Sequence, residues 1–379
     1  MPVRSFAALA SLFLWCGVVM AADDQVRINE IQVIGSHNSY HIVPHPNVMA
    51  LIAAASRKQS EALDYSHRPL AEQFSRLGVR QVELDVFADP KGGHYAEPSA
   101  RAILQKAGKD PGPDPDDGGR LRRPGLKVLH VPDVDFQSTV PAFVDALKEV
   151  RDWSASHPRH VPIFVLVELK DQGISTLPTR PILYSKAELD GVDTEIHSVF
   201  QREAMLTPDD IRGASETLPE ALRARGWPTL EAARGKVMFA LDNEGPIRDL
   251  YLEGHPALRG RAMFVSVEPT HPAAAWMKMN DSIRDFDKIV ALVRAGFLVR
   301  TRADTDTIEA RRNDPSRRDK ALASGAQFVS TDYPEPRPAF SDYVVRLPGG
   351  VAARANPING DPARAGADPE GPTSHEPGR

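Results

Sequence analysis

The sequence predicts an α/β fold, a TIM (β/α)8 barrel that forms one large domain. Eight short apolar or β-branched segments recur along the chain, and helix-like segments separate most of them. The sequence shows no internal repeat. The predicted strands are residues 31–34, 82–86, 127–131, 162–169, 237–241, 262–267, 297–301 and 327–330. The helix-like segments are residues 68–77, 140–153, 187–202, 282–294 and 305–324. A doubly wound open sheet is the main alternative for such an alternation.

The composition is that of a folded protein with a substantial core. The chain has 379 residues, of which 41% are hydrophobic and 26% are charged. Its formal net charge of −5 gives no electrostatic reason to bind nucleic acid. We therefore predict no nucleic-acid partner, and no feature predicts a protein partner.

The N-terminus predicts a signal peptide over residues 1–21. Arg4 precedes an apolar run over residues 6–20, and Val19 and Ala21 supply the small residues that a signal peptidase requires. The run is short for a membrane span, which favours export to the periplasm or the medium over anchoring. The chain's one cysteine, Cys16, falls inside this segment, so the mature protein would have no disulfide.

Two other segments differ from the rest of the chain. Residues 347–379 are rich in Pro and Gly with almost no large apolar side chain, which predicts a disordered tail after a barrel domain over residues 22–346. Residues 89–123 form a long polar excursion containing "DPGPDPDDGGR". A connection of that length is usually functional or disordered, and we expect it to lie over one end of the barrel.

The second predicted strand, "VELDV", carries two carboxylates on one face. Side chains alternate along a strand, so Glu83 and Asp85 share the face opposite to that of the three apolar residues. If the apolar face packs against the outer helices, both carboxylates point into the barrel. Buried like charges are costly unless a cation or hydrogen-bond donors neutralise them. The alternative is an exposed strand face with solvated acids.

The fourth predicted strand, "PIFVLVELKD", also carries charged side chains on one face. Glu168 and Lys170 share a face and come at its end, at the carboxyl-terminal mouth where TIM-barrel enzymes keep their active sites. An ion pair that merely closes the barrel top is the alternative. With Asn38, the carboxylates of Glu83, Asp85 and Glu168 form a set of hard oxygen ligands that suits Ca²⁺ or Mg²⁺.

Two histidines, His37 and His130, each come at the end of a predicted strand. Either alone would be interpreted as structural, but both beside a carboxylate cluster predict a general acid and base pair. Their imidazoles keep zinc possible as a less favoured metal. The polar neighbours of His37 are predicted to shape the turn without chemistry; they are Ser36, Ser39, Tyr40 and His41.

Two arginines, Arg300 and Arg302, share one face of the seventh predicted strand. They could bind a phosphate at the mouth, or pair with Asp304 or Asp306. The apolar residues 48–52 and 276–277 fit either a membrane-docking rim or helix core.

Together, four segments resemble the secreted bacterial-type branch of the calcium-dependent phosphoinositide-specific phospholipase C family. They are "IQVIGSHNSYH", "DYSHRPLAEQFSRLGVRQVELDVFADPKGGHY", "GLKVLHVPDVDFQSTV" and "RDWSASHPRHVPIFVLVELKD". The resemblance implies a TIM barrel and a phosphoric diester hydrolase that releases diacylglycerol and inositol phosphate. It also implies that His37 and His130 are catalytic and that Lys170 faces the head group. The implied calcium ligands are Asn38, Glu83, Asp85 and Glu168.

Two alternatives come from the same residues. The segments "LVRTRADT" and "AQFVSTDYP" are also similar to glycerophosphodiester phosphodiesterases, which share the barrel and a Glu-x-Asp pair. That family has a His-Arg pair after the first strand, where this chain has His37 and Asn38, so phospholipase C is favoured. The other alternative is a catalytically inactive calcium-binding barrel, which would not need both histidines. If the chain is either of these two enzymes, its partner is a phospholipid or another phosphodiester substrate. A lipid substrate would also require peripheral contact of the protein with the membrane.

Overall fold

Eight parallel strands form a nearly closed barrel in the computed structural model, which describes residues 25–371. The barrel strands are β1 (Ile31–Ser36), β2 (Gln81–Phe87), β4 (Ile163–Leu169), β5 (Val237–Leu241), β6 (Met263–Val265), β7 (Trp276–Lys278), β8 (Leu298–Arg302) and β9 (Phe328–Thr331). Their order is β6-β5-β4-β2-β1-β9-β8-β7, and one parallel bridge between Ser266 and Trp276 joins the two ends. The predicted TIM barrel is confirmed.

Two short strands lie outside the barrel order. They are β3 (Lys127–Val128), which pairs antiparallel with β2, and β10 (Ala353–Ala355), which pairs antiparallel with β1. The predicted third strand over residues 127–131 is therefore wrong as a barrel strand. Its apolar run packs against β2 as one arm of a short antiparallel pair and does not take part in the parallel series.

The true strand between the sixth and seventh predicted strands is β7 (Trp276–Lys278), which the sequence analysis did not identify. Three residues are too few to show an alternation, and residues 276–277 fitted a helix or rim equally well. In the structure Trp276 is buried, and its ring lies 5.8 Å from that of Phe164. Phe164 also stacks on Phe328 at 4.2 Å, so side chains from three strands fill the core, as in a TIM barrel.

Helices surround the barrel. They are α1 (Pro46–Ala55), α2 (Arg57–Ala62), α3 (Leu70–Leu77), α4 (Ser99–Lys106), α5 (Phe143–Ser156), α6 (Lys186–Val199), α7 (Pro208–Arg212), α8 (Leu218–Arg225), α9 (Leu230–Ala233), α10 (Pro246–Leu252), α11 (Phe286–Arg294), α12 (Ile308–Arg312) and α13 (Ser316–Ala323). The helix predicted over residues 305–324 is two helices, because Asn313 takes a left-handed conformation and Pro315 cannot continue the first. In the part of the chain that the structure describes, no helix is long and apolar enough to cross a membrane.

The polar excursion at residues 89–123 carries α4, which packs against α1. Val48 and Ile52 of α1 form a small apolar cluster with Ala100 and Leu104 of α4. Residues 48–52 are thus largely helix core, one of the two roles that they fitted. The segment with α1 follows β1, and the segment with α4 follows β2. Both segments therefore begin at carboxyl ends of barrel strands, and the apolar cluster lies on the side of the barrel mouth.

The prediction of a disordered tail is wrong for residues 347–371. This segment adds β10 beside β1, and Glu370 forms a buried ion pair with Arg80. Backbone pairing and a buried charge hold the tail, whereas the prediction counted only its few apolar side chains. Residues 372–379 and the predicted signal peptide lie outside the described residues.

Candidate active site and metal centre

The alternation predicted for β2 is confirmed: Glu83 and Asp85 are buried inside the barrel. Asp85 lies directly opposite Glu168 in the parallel register of β2 and β4. Glu168 is at the end of β4, and its side chain is 31% exposed, so it lies at the mouth. Three carboxylates from two neighbouring strands therefore converge near the carboxyl end of the barrel.

Cationic side chains contact each of these carboxylates. Lys170 Nζ lies 3.0 Å from Asp85 Oδ2 and 2.9 Å from Glu168 Oε2, and these carboxylates raise the pKa of Lys170 despite its burial. Arg300 crosses from β8 to donate to Glu83 Oε2. The suggested pairing of the arginines with Asp304 or Asp306 is wrong, because Arg300 pairs with Glu83 and Arg302 pairs with Asp332.

A further carboxylate, Asp242, belongs to this cluster and was missed by the sequence analysis. It follows β5 directly, and its Oδ2 lies 2.9 Å from Lys278 Nζ. Glu83, Glu168 and Asp242 each offer a carboxylate oxygen, and these oxygens all lie within 4.8 Å of one another. An acid immediately after a predicted barrel strand was the available signal, because every such position faces the mouth.

Several oxygens of this region are buried without a hydrogen-bond partner among residues 25–371. They are Oδ1 of Asn38, Oδ1 of Asp85 and Oδ1 of Asp242. Asn38 has the left-handed φ of 45°, which Asn tolerates, and its Nδ2 donates to Tyr65 Oη at 3.0 Å. Unpartnered carboxylate and amide oxygens are the ligands that Ca²⁺ prefers, so these residues fit that ion.

The electrostatics of the cluster agree with a cation site. Burial raises the pKa of Glu83 to about 8, although Arg300 acts in the opposite direction. Burial likewise raises the pKa of Asp85 to about 8, against the effect of Lys170. A divalent cation would favour the ionised form of both carboxylates.

His37 lies next to the carboxylate cluster, with Nε2 3.7 Å from Glu83 Oε1. Its Nε2 also lies 3.2 Å from Arg302 Nη1, which can only donate, so the ring hydrogen is on Nδ1 and is donated to Asp332 Oδ1 at 2.7 Å. Arg302 also donates to Asp332 at 3.0 Å. Burial, and then Arg302, lowers the pKa of His37 to about 3, so its ring is neutral near pH 7.

Asp332 was not identified from the sequence. It directly follows β9, inside the quoted segment "AQFVSTDYP". Because β9 is the neighbour of β1 in the barrel, the end of β9 lies beside the turn that carries His37. The sequence alone did not show this, since the two residues are far apart along the chain.

His130 lies in the loop after β3. The prediction that it ends a barrel strand is therefore wrong. Its Nδ1 lies 2.7 Å from Asp135 Oδ2, and its ring is 25% exposed. His41, also bound to Asp135, has its ring 6.0 Å from the ring of His130. The loop brings His130 to the barrel mouth through contacts with the turn after β1, such as the bridge between His41 and Ser138.

A family model covers most of the chain. The family described as phosphoinositide phospholipase C, Ca²⁺-dependent, matches residues 26–357. The chain belongs to this family. This phospholipase C is therefore a phosphoric diester hydrolase with Ca²⁺ as its cofactor and a phospholipid as its substrate. Membership decides against the glycerophosphodiester phosphodiesterase alternative.

Solved structures are similar to this phospholipase C, and the two from Pseudomonas share its fold. The calcium-dependent phosphoinositol-specific phospholipase C from a Gram-negative Pseudomonas species, in an apo form, is 15% identical with a TM-score of 0.51, covering 88% of this chain and 97% of that chain. Its structure described with myo-inositol has the same identity and TM-score, with 88% and 96% covered. The Ca²⁺-dependent phosphatidylinositol-specific enzyme from Streptomyces antibioticus is 18% identical with a TM-score of 0.46, covering 84% and 98%. No curated protein matches the chain.

Proposed function

We propose that this phospholipase C cleaves phosphatidylinositol at the mouth of its barrel, with His130 as the general acid. The observation that carries this proposal is the grouping of Glu83, Glu168 and Asp242 oxygens within 4.8 Å, beside the neutral ring of His37. The carboxylates suit a calcium ion, His130 suits proton transfer, and Arg302 beside His37 suits charge stabilisation at a phosphorus centre.

The calcium ligands in this proposal are the four residues implied by the resemblance, joined by Asp242. The four are Asn38, Glu83, Asp85 and Glu168. When bound, Ca²⁺ would lower the pKa of the attacking hydroxyl and neutralise phosphate oxygens. Lys170 lies beside Asp85 and Glu168, where it can contact the head group, and Arg302 can donate to the phosphate.

The first step forms a bond from the inositol 2-hydroxyl oxygen to phosphorus and breaks the bond from phosphorus to the glyceryl oxygen. Glu83 or Glu168 accepts the hydroxyl proton. His130 acts here in its doubly protonated form: its Nδ1–H stays with Asp135, its Nε2 proton passes to the glyceryl oxygen, and diacylglycerol leaves. In the second step, His130 takes a proton from water, and the water oxygen bonds to phosphorus. The bond from phosphorus to the inositol 2-oxygen breaks, and the carboxyl group protonated in the first step returns its proton to that oxygen.

The division of labour between the histidines is supported by their contacts. His37 has no proton to give from Nε2, because this nitrogen accepts from Arg302. Its neutral ring instead orients Arg302, whose guanidinium can stabilise the charge that develops on phosphorus oxygens. His130 donates through Nδ1 to Asp135, and its Nε2 is left for the substrate.

A product assay tests the proposal. Purified protein is incubated with phosphatidylinositol vesicles and separately with glycerophosphocholine, each with Ca²⁺ or with excess chelator. We expect inositol phosphate and diacylglycerol from the first substrate with Ca²⁺ and none with chelator. Release of glycerol 3-phosphate instead, or Ca²⁺ binding without any turnover, would contradict the proposal; the latter would support the inactive calcium-binding barrel.

Asp242→Asn is expected to weaken Ca²⁺ binding by at least about 10-fold, the scale seen when groups around a bound metal are removed. The substitution preserves size but removes the charge of an oxygen that is buried without a partner. Titration calorimetry with Ca²⁺ alone measures this directly. Asp319→Asn, an exposed acid on α13, is the matched control and should leave the affinity unchanged. Equal affinities for the two variants would remove Asp242 from the ligand set.

We further propose that the chain is exported and meets its lipid as a peripheral membrane protein. The signal-peptide pattern supports export. The segment that leaves β4 at the mouth exposes Ile174 and Leu183, the latter by 71%, and such side chains suit an interface with lipid. Recovery of the protein outside the cytoplasm tests export. Sedimentation with phosphatidylinositol vesicles tests membrane contact, and a protein that stays in the supernatant would contradict it.

A further inference from the structure

His41, predicted to carry no chemistry, is completely buried and bound at both ring nitrogens. Nδ1 lies 3.1 Å from the Tyr65 carbonyl oxygen, and Nε2 lies 2.9 and 3.0 Å from the two carboxylate oxygens of Asp135. A carbonyl and a carboxylate only accept, so both ring nitrogens of His41 donate. The ring also stacks on Tyr65 at 4.3 Å. His41 is thus held rigidly on three sides.

Asp135 is the residue that joins His41 to His130. It is completely buried, and its Oδ2 accepts from His130 Nδ1 at 2.7 Å while both oxygens face His41 Nε2. Burial acts to raise the pKa of Asp135, but His41 and His130 hold it well below its usual range. The carboxylate is therefore ionised, and two donors fix its orientation.

The backbone around Asp135 is fixed as well. Val131 and Asp135 exchange two backbone hydrogen bonds of 2.9 Å, which close a tight turn directly after His130. A bridge between His41 and Ser138 attaches the same loop to the turn after β1. These backbone contacts consequently hold the Asp135 carboxylate in place beside Nδ1 of His130.

The three ligand-type groups of His41, Asp135 and His130 come within 4.8 Å of one another, as in a metal site. Direct hydrogen bonds of 2.7–3.0 Å already join them. Both nitrogens of His41 donate, so neither has a lone pair for a metal. The arrangement is complete as a hydrogen-bonded chain.

We propose that Asp135 is the positioning residue of His130 and that His41 anchors Asp135 for this role. The inference rests on the proposed function, in which His130 is the general acid. By accepting the Nδ1 hydrogen, Asp135 fixes the ring orientation of His130 and stabilises its doubly protonated form, so that the Nε2 proton faces the leaving glyceryl oxygen. His41 donates to both carboxylate oxygens and prevents the carboxylate from rotating away.

The test compares two leaving groups. Diacylglycerol leaves as an alkoxide that needs a proton, whereas the 4-nitrophenolate of inositol 1-(4-nitrophenyl phosphate) leaves without one. For Asp135→Asn we expect kcat on phosphatidylinositol to fall about 10²-fold or more, with KM little changed, because a mispositioned acid loses most of its contribution. On the aryl substrate kcat should fall no more than a few-fold.

Two further variants keep the result interpretable. His41→Gln retains one donor toward Asp135 and should lose less of the phosphatidylinositol activity than His41→Leu, which retains none. Asp133→Asn is the matched control, because Asp133 is equally buried two residues away but binds Ser99 and Thr179. It should lower both activities by the same factor. Ca²⁺ affinity by calorimetry confirms that each variant is folded.

Equal losses on both substrates for Asp135→Asn would overturn the inference, since a merely structural role affects both reactions alike. His130→Ala distinguishes this from failure of the proposed function. If His130→Ala loses activity on the lipid but not on the aryl substrate, only the role of Asp135 fails. If His130→Ala affects both substrates equally, the assignment of His130 as general acid fails, and the inference falls with it.

Discussion

His130→Ala is expected to lower kcat on phosphatidylinositol by about 10²–10⁴-fold, the usual contribution of one acid–base group. His37→Ala is expected to lower it by about 10²–10³-fold, the scale of losing one group that supports transition-state charge stabilisation. The first variant removes the proton donor for the leaving oxygen. The second removes the neutral ring that lies 3.7 Å from Glu83 and accepts from Arg302 at the phosphate side of the site. Steady-state kinetics with saturating Ca²⁺ measure both effects.

The control for these variants is His197→Ala, because His197 is an exposed histidine on α6. Its kcat should equal that of the unsubstituted enzyme. Ca²⁺ affinity should be retained in His130→Ala, whose side chain does not contact the carboxylate cluster. Full activity in both histidine variants would refute the mechanism, whereas loss of Ca²⁺ binding in His130→Ala would indicate a structural effect.

Glu370→Ala is expected to lower the free energy of unfolding by about 3–5 kcal/mol, the usual cost of breaking a buried ion pair from one side. Arg80 and Glu370 are 2% and 5% exposed, and Glu370 also accepts from the backbone N–H of Val161 at 2.8 Å. Removing Glu370 leaves the Arg80 guanidinium buried beside Trp153 without its carboxylate. Denaturant unfolding measures the loss.

The matched control is Glu97→Ala, which breaks the exposed ion pair with Arg122. It should cost less than about 1 kcal/mol, as exposed pairs do. Equal costs for the two variants would show that the tail does not stabilise the barrel and that a disordered tail is the better description.

The same ion pair predicts a pH dependence. Arg80 outweighs burial and lowers the pKa of Glu370 below its value in an unfolded chain. The stabilisation is therefore fully present above the unfolded pKa of about 4.3 and is lost as the pH falls through the lower, folded pKa. The stability difference between the unsubstituted protein and Glu370→Gln should shrink in acid; a difference that grows would contradict the sign.

Much of the site could be predicted from local patterns. Alternation along "VELDV" and "VELKD" correctly placed Glu83 and Asp85 inside the barrel and Glu168 with Lys170 at its mouth. This worked because side-chain direction in a strand has a period of two and needs no knowledge of the partner strands. The three-residue strand β7 was not predicted for the same reason, since three residues do not establish a period.

Partners from distant parts of the chain could not be predicted in this way. Asp332 meets His37, and Asp242 joins Glu83 and Glu168, only because strands from the two halves of the chain close one barrel. Asp135 was near His130 in the sequence, but its second contact, with His41, depends on how two loops pack. No local period encodes such a contact.

The sequence by itself determined the barrel class, the family and the face on which most of the carboxylates lie, because alternation and motifs are properties of short segments. The tertiary structure alone decided which acid meets which histidine, and that residues 347–371 pack on the barrel through β10 and Glu370. The physical reason is that hydrogen bonds and buried ion pairs act over a few ångströms in space, whatever the separation along the chain.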